Sequence, residues 1–148
     1  MPEYRLKAAF LYNFVAFTEW PADMGSTVNL CVYGPDPFGA EIDPLTGKTV
    51  GSRKIEVHRR TSFAELKDCQ LVFVAAPAIS QMPRVLEAVR GLPVLMVADS
   101  TGAVRQGAVL NMTMVQGRVT FEVNLVAARS ARLTLSSKLL RLATEVIQ

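Results

Sequence analysis

The sequence is poor in the side chains from which most catalytic and metal sites are built. Its 148 residues include one histidine and two cysteines, too few for a zinc site of the usual His/Cys composition. It has neither the G-x-S-x-G turn of serine hydrolases nor the G-x-G-x-x-G loop of dinucleotide-binding folds. No uncharged apolar run approaches the ~20 residues that cross a bilayer. We therefore expect no enzymatic activity, no cofactor and no bound metal.

One short motif and one histidine could belong to a phosphate-binding or catalytic site, but each has a simpler interpretation. Gly47-Lys48-Thr49 matches the end of a phosphate-binding loop, yet Ile42 stands where that loop needs its first glycine. We expect a surface turn there. His58 lies in a charged segment, and we expect a solvated strand residue.

Two aspartates follow predicted strands, where open α/β sheets place their ligand-binding loops. They are Asp36 and Asp99. Asp36 precedes a proline and is typical of a helix cap, whereas Asp99 begins a segment of turn composition. We expect structural roles for both.

The remaining composition is that of a folded globular protein. Half of the residues are hydrophobic and a fifth are charged, which predicts a single domain over residues 1–148. Residues 1–74 hold eight Lys/Arg and nine Asp/Glu, whereas residues 75–148 hold eight and four. Such a mild basic bias lacks the dense stripe typical of nucleic-acid binding and suits an acidic protein or an anionic surface.

Hydrophobic periodicity predicts alternating strands and helices, followed by a hairpin. We predict strands at 28–33, 54–59, 69–75 and 93–98, a hairpin of 108–114 with 118–124, and helices at 3–19, 37–41, 62–66, 80–90, 125–131 and 136–147. This order indicates an α/β fold with three α/β/α layers, a mostly parallel central sheet of about six strands and an antiparallel C-terminal hairpin. The first helix has so broad an apolar surface that we also expect a homodimer.

The two cysteines, Cys31 and Cys69, fall in or beside strands that we predict to be neighbours. They are either two buried free thiols or the two halves of a disulfide. A disulfide would add roughly 4 kcal/mol of stability and would place the protein outside the cytosol. The residues alone leave both interpretations open.

Several segments, spread over nearly the whole chain, resemble the YfiR-like family of bacterial periplasmic regulators. They are Lys7-Ala8-Ala9-Phe10-Leu11-Tyr12-Asn13-Phe14 with Phe17-Thr18-Glu19-Trp20-Pro21, Leu30-Cys31-Val32-Tyr33-Gly34 with Asp36-Pro37-Phe38, Cys69-Gln70-Leu71-Val72-Phe73-Val74, Val119-Thr120-Phe121-Glu122-Val123-Asn124-Leu125, and Leu133 with Ser136-Ser137-Lys138-Leu139-Leu140-Arg141-Leu142-Ala143.

The resemblance implies a non-enzymatic protein of the periplasm, whose signal peptide has been removed from the sequence given. It implies repression of an inner-membrane diguanylate cyclase by binding to the extracytoplasmic sensor region, and release by an outer-membrane, peptidoglycan-associated lipoprotein. It also implies a Cys31–Cys69 disulfide. A second family cysteine pair would lie near residues 104–111, where this sequence has no cysteine. Stabilisation or redox control by a second disulfide is therefore not implied for this chain.

Glu122 and Asn124 should share one face of the last hairpin strand, with Arg129 and Arg132 close by in sequence. We expect these residues to form a polar partner-binding patch, the alternative being an ordinary solvated edge. An alternative function is a small-ligand sensor that uses the crevice at the carboxyl ends of the strands. It predicts a pocket near residues 34–38, 75–80 and 98–102.

Overall fold

A computed structural model describes residues 2–21 and 25–148. The α-helices are α1 (Glu3–Ala16), α2 (Met82–Ala88), α3 (Leu125–Ser130) and α4 (Ser137–Leu142). Short 3-10 helices occupy Gly39–Leu45, Phe63–Leu66, Ala76–Gln81 and Ala103–Gln106. The strands are β1 (Thr18–Glu19), β2 (Thr27–Tyr33), β3 (Thr49–Val50), β4 (Arg53–Arg60), β5 (Leu71–Val74), β6 (Leu95–Ala98), β7 (Leu110–Val115), β8 (Arg118–Asn124), β9 (Thr134–Leu135) and β10 (Glu145–Ile147).

Within the described residues, eight strands form one sheet in the order β10-β8-β7-β6-β5-β2-β4-β3. The pairings β7–β8 and β3–β4 are antiparallel and the other five are parallel. Strands β5 and β6 are buried along their whole length, as expected of central parallel strands. The predicted α/β fold with its antiparallel hairpin is confirmed.

The sheet has two more strands than the sequence predicted. Strand β3 forms a hairpin with β4 through the exposed turn of Gly51 and Ser52, whereas Gly47 lies in the exposed turn before β3. The prediction of one helix over 136–147 was wrong at its end, because α4 stops at Leu142 and residues 145–147 run parallel to β8. The β-branched residues of this segment favour an extended chain, and the Thr144 N–H donates to the Phe121 carbonyl at 2.9 Å.

Helix α1 covers one face of the sheet. Phe10 and Phe14 meet Phe121 of β8 edge to face, with ring centroids 6.1 and 5.2 Å apart. The first helix was predicted to end at residue 19, but it ends at Ala16 because Thr18 and Glu19 pair with β9. The sheet buries Leu11, Phe14 and Val15 and leaves Leu6 and Phe10 partly exposed, and the homodimer stays a prediction.

A buried ion pair fixes the start of α1 to the end of β6. The Lys7 Nζ atom lies 3.0 Å from the Asp99 Oδ2 atom, and the two side chains are only 4% and 2% exposed. The Tyr4 hydroxyl donates to the same carboxylate oxygen at 2.7 Å, and Glu3 also contacts Lys7. Burial, and then this hydrogen bond, raise the pKa of Tyr4. Asp99 therefore anchors α1 to the end of β6, and it also begins the predicted turn.

We predict that removing one member of this pair destabilises the protein far more than removing both. Lys7→Met should lose about 3–5 kcal/mol of unfolding free energy, because the Asp99 charge stays buried without its cation. The double variant Lys7→Met/Asp99→Asn should recover part of that loss, as measured by urea unfolding.

A matched control is the exposed pair of Arg90 and Glu87, whose side chains are 79% and 66% exposed. Arg90→Met should change stability by less than about 0.5 kcal/mol. An equal loss in Lys7→Met and Arg90→Met would contradict a docking role for the buried pair.

The structure joins Cys31 and Cys69 in a disulfide. Cys31 lies in β2 and Cys69 just before the neighbouring strand β5, and both are buried. The bond closes a loop with a sequence separation of 38, which includes β3 and β4. Because such a loop restricts the unfolded chain, the bond stabilises the folded state.

We predict that Cys31→Ala/Cys69→Ala loses about 2–4 kcal/mol of stability relative to the oxidised protein. A reductant should lower the melting temperature of the parent protein and leave that of the double variant unchanged. The direct check is a thiol assay in denaturant on native material. Two reactive thiols per chain would show that the bond is absent.

Candidate functional site

The structure divides the four predicted partner-binding residues into two groups. Asn124 ends β8 and caps α3, with its Oδ1 accepting from the Ala127 N–H at 3.0 Å and its Nδ2 donating to the Val104 carbonyl at 2.7 Å. Glu122 accepts a 3.1 Å hydrogen bond from the buried side chain of Asn111. Both polar groups are therefore engaged within the chain.

The two predicted arginines, by contrast, are exposed. Arg129 lies in the last turn of α3, and Arg132 follows the helix in a left-handed conformation with φ of 60°. The Nη2 atom of Arg132 donates to the Gly91 carbonyl at 3.0 Å, so its side chain lies over the loop after α2. These two residues are available to a partner.

An apolar groove runs between α2 and α3, beside these arginines. We call it the α2–α3 groove, and its volume is about 300 Å³. It lies on the sheet face opposite α1. Val97 pairs with Phe73, which contacts α1 through the Phe38 ring and so lies on the α1 face. Met96, next to Val97 in β6, therefore points to the other face, into the floor of the groove. Its lining comprises Leu86, Val89, Arg90, Gly91, Leu92, Val94, Met96, Gly107, Val109, Ala127, Ser130 and Ala131.

The edge of this groove is basic. Arg90 lines it, and Arg132 donates a hydrogen bond to the carbonyl of its residue Gly91. We call these two side chains the arginine rim. Arg129 comes two residues after the lining residue Ala127 on α3, so its side chain points to another side of the helix. Arg90 lies 3.6 Å from Glu87, whereas Arg132 has no carboxylate partner among the residues that the structure describes. The groove thus combines an aliphatic floor with excess positive charge.

Small residues create the groove, which explains why the sequence did not reveal it. Gly107 has φ of 114°, and a Cβ there would lie 2.6 Å from the Leu86 Cδ1 atom. Ala127 and Ala131 leave space on the α3 side. The sequence predicted a helix over 80–90, but not that the surface between this helix and α3 stays open.

A second cavity, which we call the strand-end cleft, lies at the carboxyl ends of β2 and β4. Its volume is about 410 Å³, and it is lined by Tyr33, Gly34, Pro35, Thr61, Pro77, Ala78 and Gln81. The sheet order reverses at β2, which lies between β4 and β5, so the cleft lies at a topological switch point. Of the predicted pocket segments, 34–38 and 75–80 contribute, whereas 98–102 do not.

Close packing and one hydrogen bond define the wall of this cleft. The Tyr33 hydroxyl donates to the Gln81 Oε1 atom at 2.7 Å. A Cβ at Gly34 would lie 2.7 Å from the Ala78 Cβ, so a larger residue there would displace the Ala76–Gln81 segment. The amide nitrogen of Gln81 and the hydroxyl of Thr61 remain as polar groups in the lining.

The other candidates for chemistry have structural roles. The Asp36 carboxylate accepts from the N–H groups of Phe38 and Gly39 and pairs with Arg59 at 3.1 Å. His58 is half-buried rather than solvated, with its Nε2 atom 2.9 Å from the Asn29 Oδ1. Within residues 2–21 and 25–148, no three His, Cys, Asp or Glu side chains lie close enough to hold a metal ion.

Solved structures share this fold at low sequence identity. A conserved domain protein from Vibrio cholerae O1 biovar El Tor aligns over 99% of this chain with a TM-score of 0.67 and 11% identity. An ABC domain from Streptococcus pneumoniae in complex with L-Trp aligns over 82% with a TM-score of 0.56 and 14% identity. The alignments cover 60% and 55% of those two proteins. The comparison with curated proteins gave no significant match.

A family model gives the closer relationship. The model described as DUF4154: YfiR/HmsC-like matches residues 4–144, which include nearly all of α1, the disulfide, the groove and the cleft. The resemblance inferred from the sequence segments is confirmed, and the chain belongs to the YfiR/HmsC-like family.

Proposed function

We propose that this protein is an extracytoplasmic repressor of an inner-membrane diguanylate cyclase and acts by binding the cyclase's periplasmic sensor region. The family match over residues 4–144 carries the proposal, because YfiR/HmsC-like proteins are periplasmic regulators of diguanylate cyclases rather than enzymes. The disulfide between Cys31 and Cys69 supports the location, since such bonds persist in oxidising compartments.

None of the helices in the described ranges has the length and apolar character to cross a membrane.

The arginine rim, together with the exposed Arg129 on the neighbouring helix α3, is the surface that we propose for the cyclase. Exposed arginines beside an apolar depression suit a partner surface with carboxylates around an apolar centre, because arginine pairs with carboxylates in a fixed geometry. Arg129 and Arg132 would contact the partner directly. Glu122 and Asn124 would support this contact indirectly, by holding β8 and α3 in place.

Repression would follow from mass action. A regulator that binds the inactive conformation of the cyclase more tightly than the active one shifts the population towards the inactive state. A 50-fold reduction of the active population needs a difference of about 2.3 kcal/mol in binding free energy. Release would follow when a competing partner, such as an outer-membrane, peptidoglycan-associated lipoprotein, occupies the regulator.

We predict that deleting the gene raises cellular cyclic-di-GMP severalfold, because the cyclase loses its repressor. Expression with a secretion signal should restore the original level. Expression without the signal provides the matched control and should not, because the protein then stays in the cytosol. The measurement is cyclic-di-GMP quantified by mass spectrometry in cell extracts. Unchanged levels in the deletion strain would contradict repression.

The strand-end cleft supports a second candidate function, that of a small-ligand sensor. It lies at the topological switch point, where open α/β sheets bind ligands, and its lining includes Tyr33, Thr61 and Gln81. The fold is shared with the ABC domain that was solved in complex with L-Trp. An amino acid is therefore a reasonable first probe.

We predict that L-Trp, or another amino acid in a screen, raises the melting temperature of the parent protein in a saturable way. Thr61→Trp, which fills the cleft from its exposed side, should abolish the shift. Thr46→Trp, in an exposed turn elsewhere, should retain it. A shift that survives in Thr61→Trp, or no shift with any amino acid, would count against this second function.

A further inference from the structure

We propose that the α2–α3 groove binds a medium-chain carboxylate, with the hydrocarbon tail in the groove and the carboxylate at the arginine rim. The proposal does not depend on the repressor function. It rests on the polarity of the lining, the size of the cavity and the charge at its edge.

The lining accepts hydrocarbon and offers little to a polar occupant. Apart from Arg90 and Ser130, its side chains are aliphatic or absent, and its floor is formed by buried Val94, Met96 and Val109. A peptide main chain laid inside the groove would bury amide groups without hydrogen-bond partners, which is costly, whereas a folded partner that rests on the arginine rim would not enter the groove. An alkyl chain has no such groups, so burying it is favourable in proportion to its length.

The size of the groove sets the size of the tail. About 300 Å³ is at the lower end of the range of small-ligand sites. It therefore suits a chain of about ten carbon atoms rather than a complete membrane lipid. Gly107 keeps this space open, because it allows Leu86 to pack directly against the backbone.

The arginine rim sets the charge of the head group. Two guanidinium groups lie at the edge, those of Arg90 and Arg132, and Arg90 is partly balanced by Glu87 at 3.6 Å. The Arg132 side chain is held over the loop at Gly91 by its 3.0 Å hydrogen bond, so it is positioned rather than free. Guanidinium groups form bidentate hydrogen bonds with carboxylates, which favours an anionic head group over a cationic one.

The test is a titration of the isotope-labelled protein with sodium decanoate, followed by NMR. Decanoate should bind saturably below about 1 mM, with shifts concentrated at groove residues such as Ala127 and Ala131. Sodium butyrate, with the same head and a short tail, should bind at least about tenfold more weakly. Decyltrimethylammonium, with the same tail and the opposite charge, should also bind at least about tenfold more weakly.

Variants separate the tail site from the head site. Ala131→Phe should fill the groove and remove decanoate binding. Arg132→Glu is an exposed change that keeps the core intact, and should weaken decanoate binding about tenfold. Lys138→Glu, an exposed charge reversal on α4, is the matched control and should leave binding unchanged.

Three results would overturn the proposal. They are no saturable shift with decanoate, equal binding of decanoate and decyltrimethylammonium, or shifts that lie away from the groove and persist in Arg132→Glu. A short peptide with one leucine between glutamates, added in a parallel titration, tests the other occupant. If it binds in the groove and decanoate does not, the groove is a protein-docking site and the carboxylate proposal fails.

Discussion

The buried ion pair between Lys7 and Asp99 is the constraint on which the arrangement of this protein depends. It connects the first turns of α1 to the carboxyl end of β6, and the Tyr4 hydroxyl shares the same carboxylate. The pair fills the carboxyl end of β6, on the edge where open α/β sheets commonly bind ligands. The strand-end cleft lies on the same edge beside β2 and β4. The docking of α1 therefore closes one part of this edge while another part stays open.

The two cavities differ in the chemistry that they offer. The strand-end cleft has uncharged polar groups from Tyr33, Thr61 and Gln81, whereas the α2–α3 groove is aliphatic with a basic edge. If the arginine rim contacts both a partner protein and a bound carboxylate, the two would compete for the same charges. Occupancy of the groove would then lower the affinity for the partner without any change in the fold.

Most of the fold could be predicted from the sequence, because the central strands are continuous apolar runs and the hairpin has a regular alternation. The errors came from contacts between distant residues. Residues 145–147 looked like the end of a helix, but the free edge of β8 draws them into the sheet. Asp99 looked like a turn residue, since local composition does not show that Lys7 is buried beside it.

The candidate site was predicted in part, for similar reasons. Arg129 and Arg132 are exposed as expected, because no element covers them. Glu122 and Asn124 share a strand face, as their spacing indicated, but Asn111 and the start of α3 take up their polar groups. The groove depends on the packing of Gly107 near Ala127 and Ala131, which are distant from it in sequence. A hydrophobic pattern along the sequence cannot show that these residues line one surface.

The small sheet of β1 and β9 has a consequence for the order of folding. It pairs Thr18, near the start of the chain, with Leu135, near its end. A polypeptide that emerges amino-terminus first cannot form this pair until residue 135 has appeared. Helix α1 likewise has no partner for Phe10 and Phe14 until Phe121 of β8 has followed, so its apolar side is exposed to aggregation during that interval.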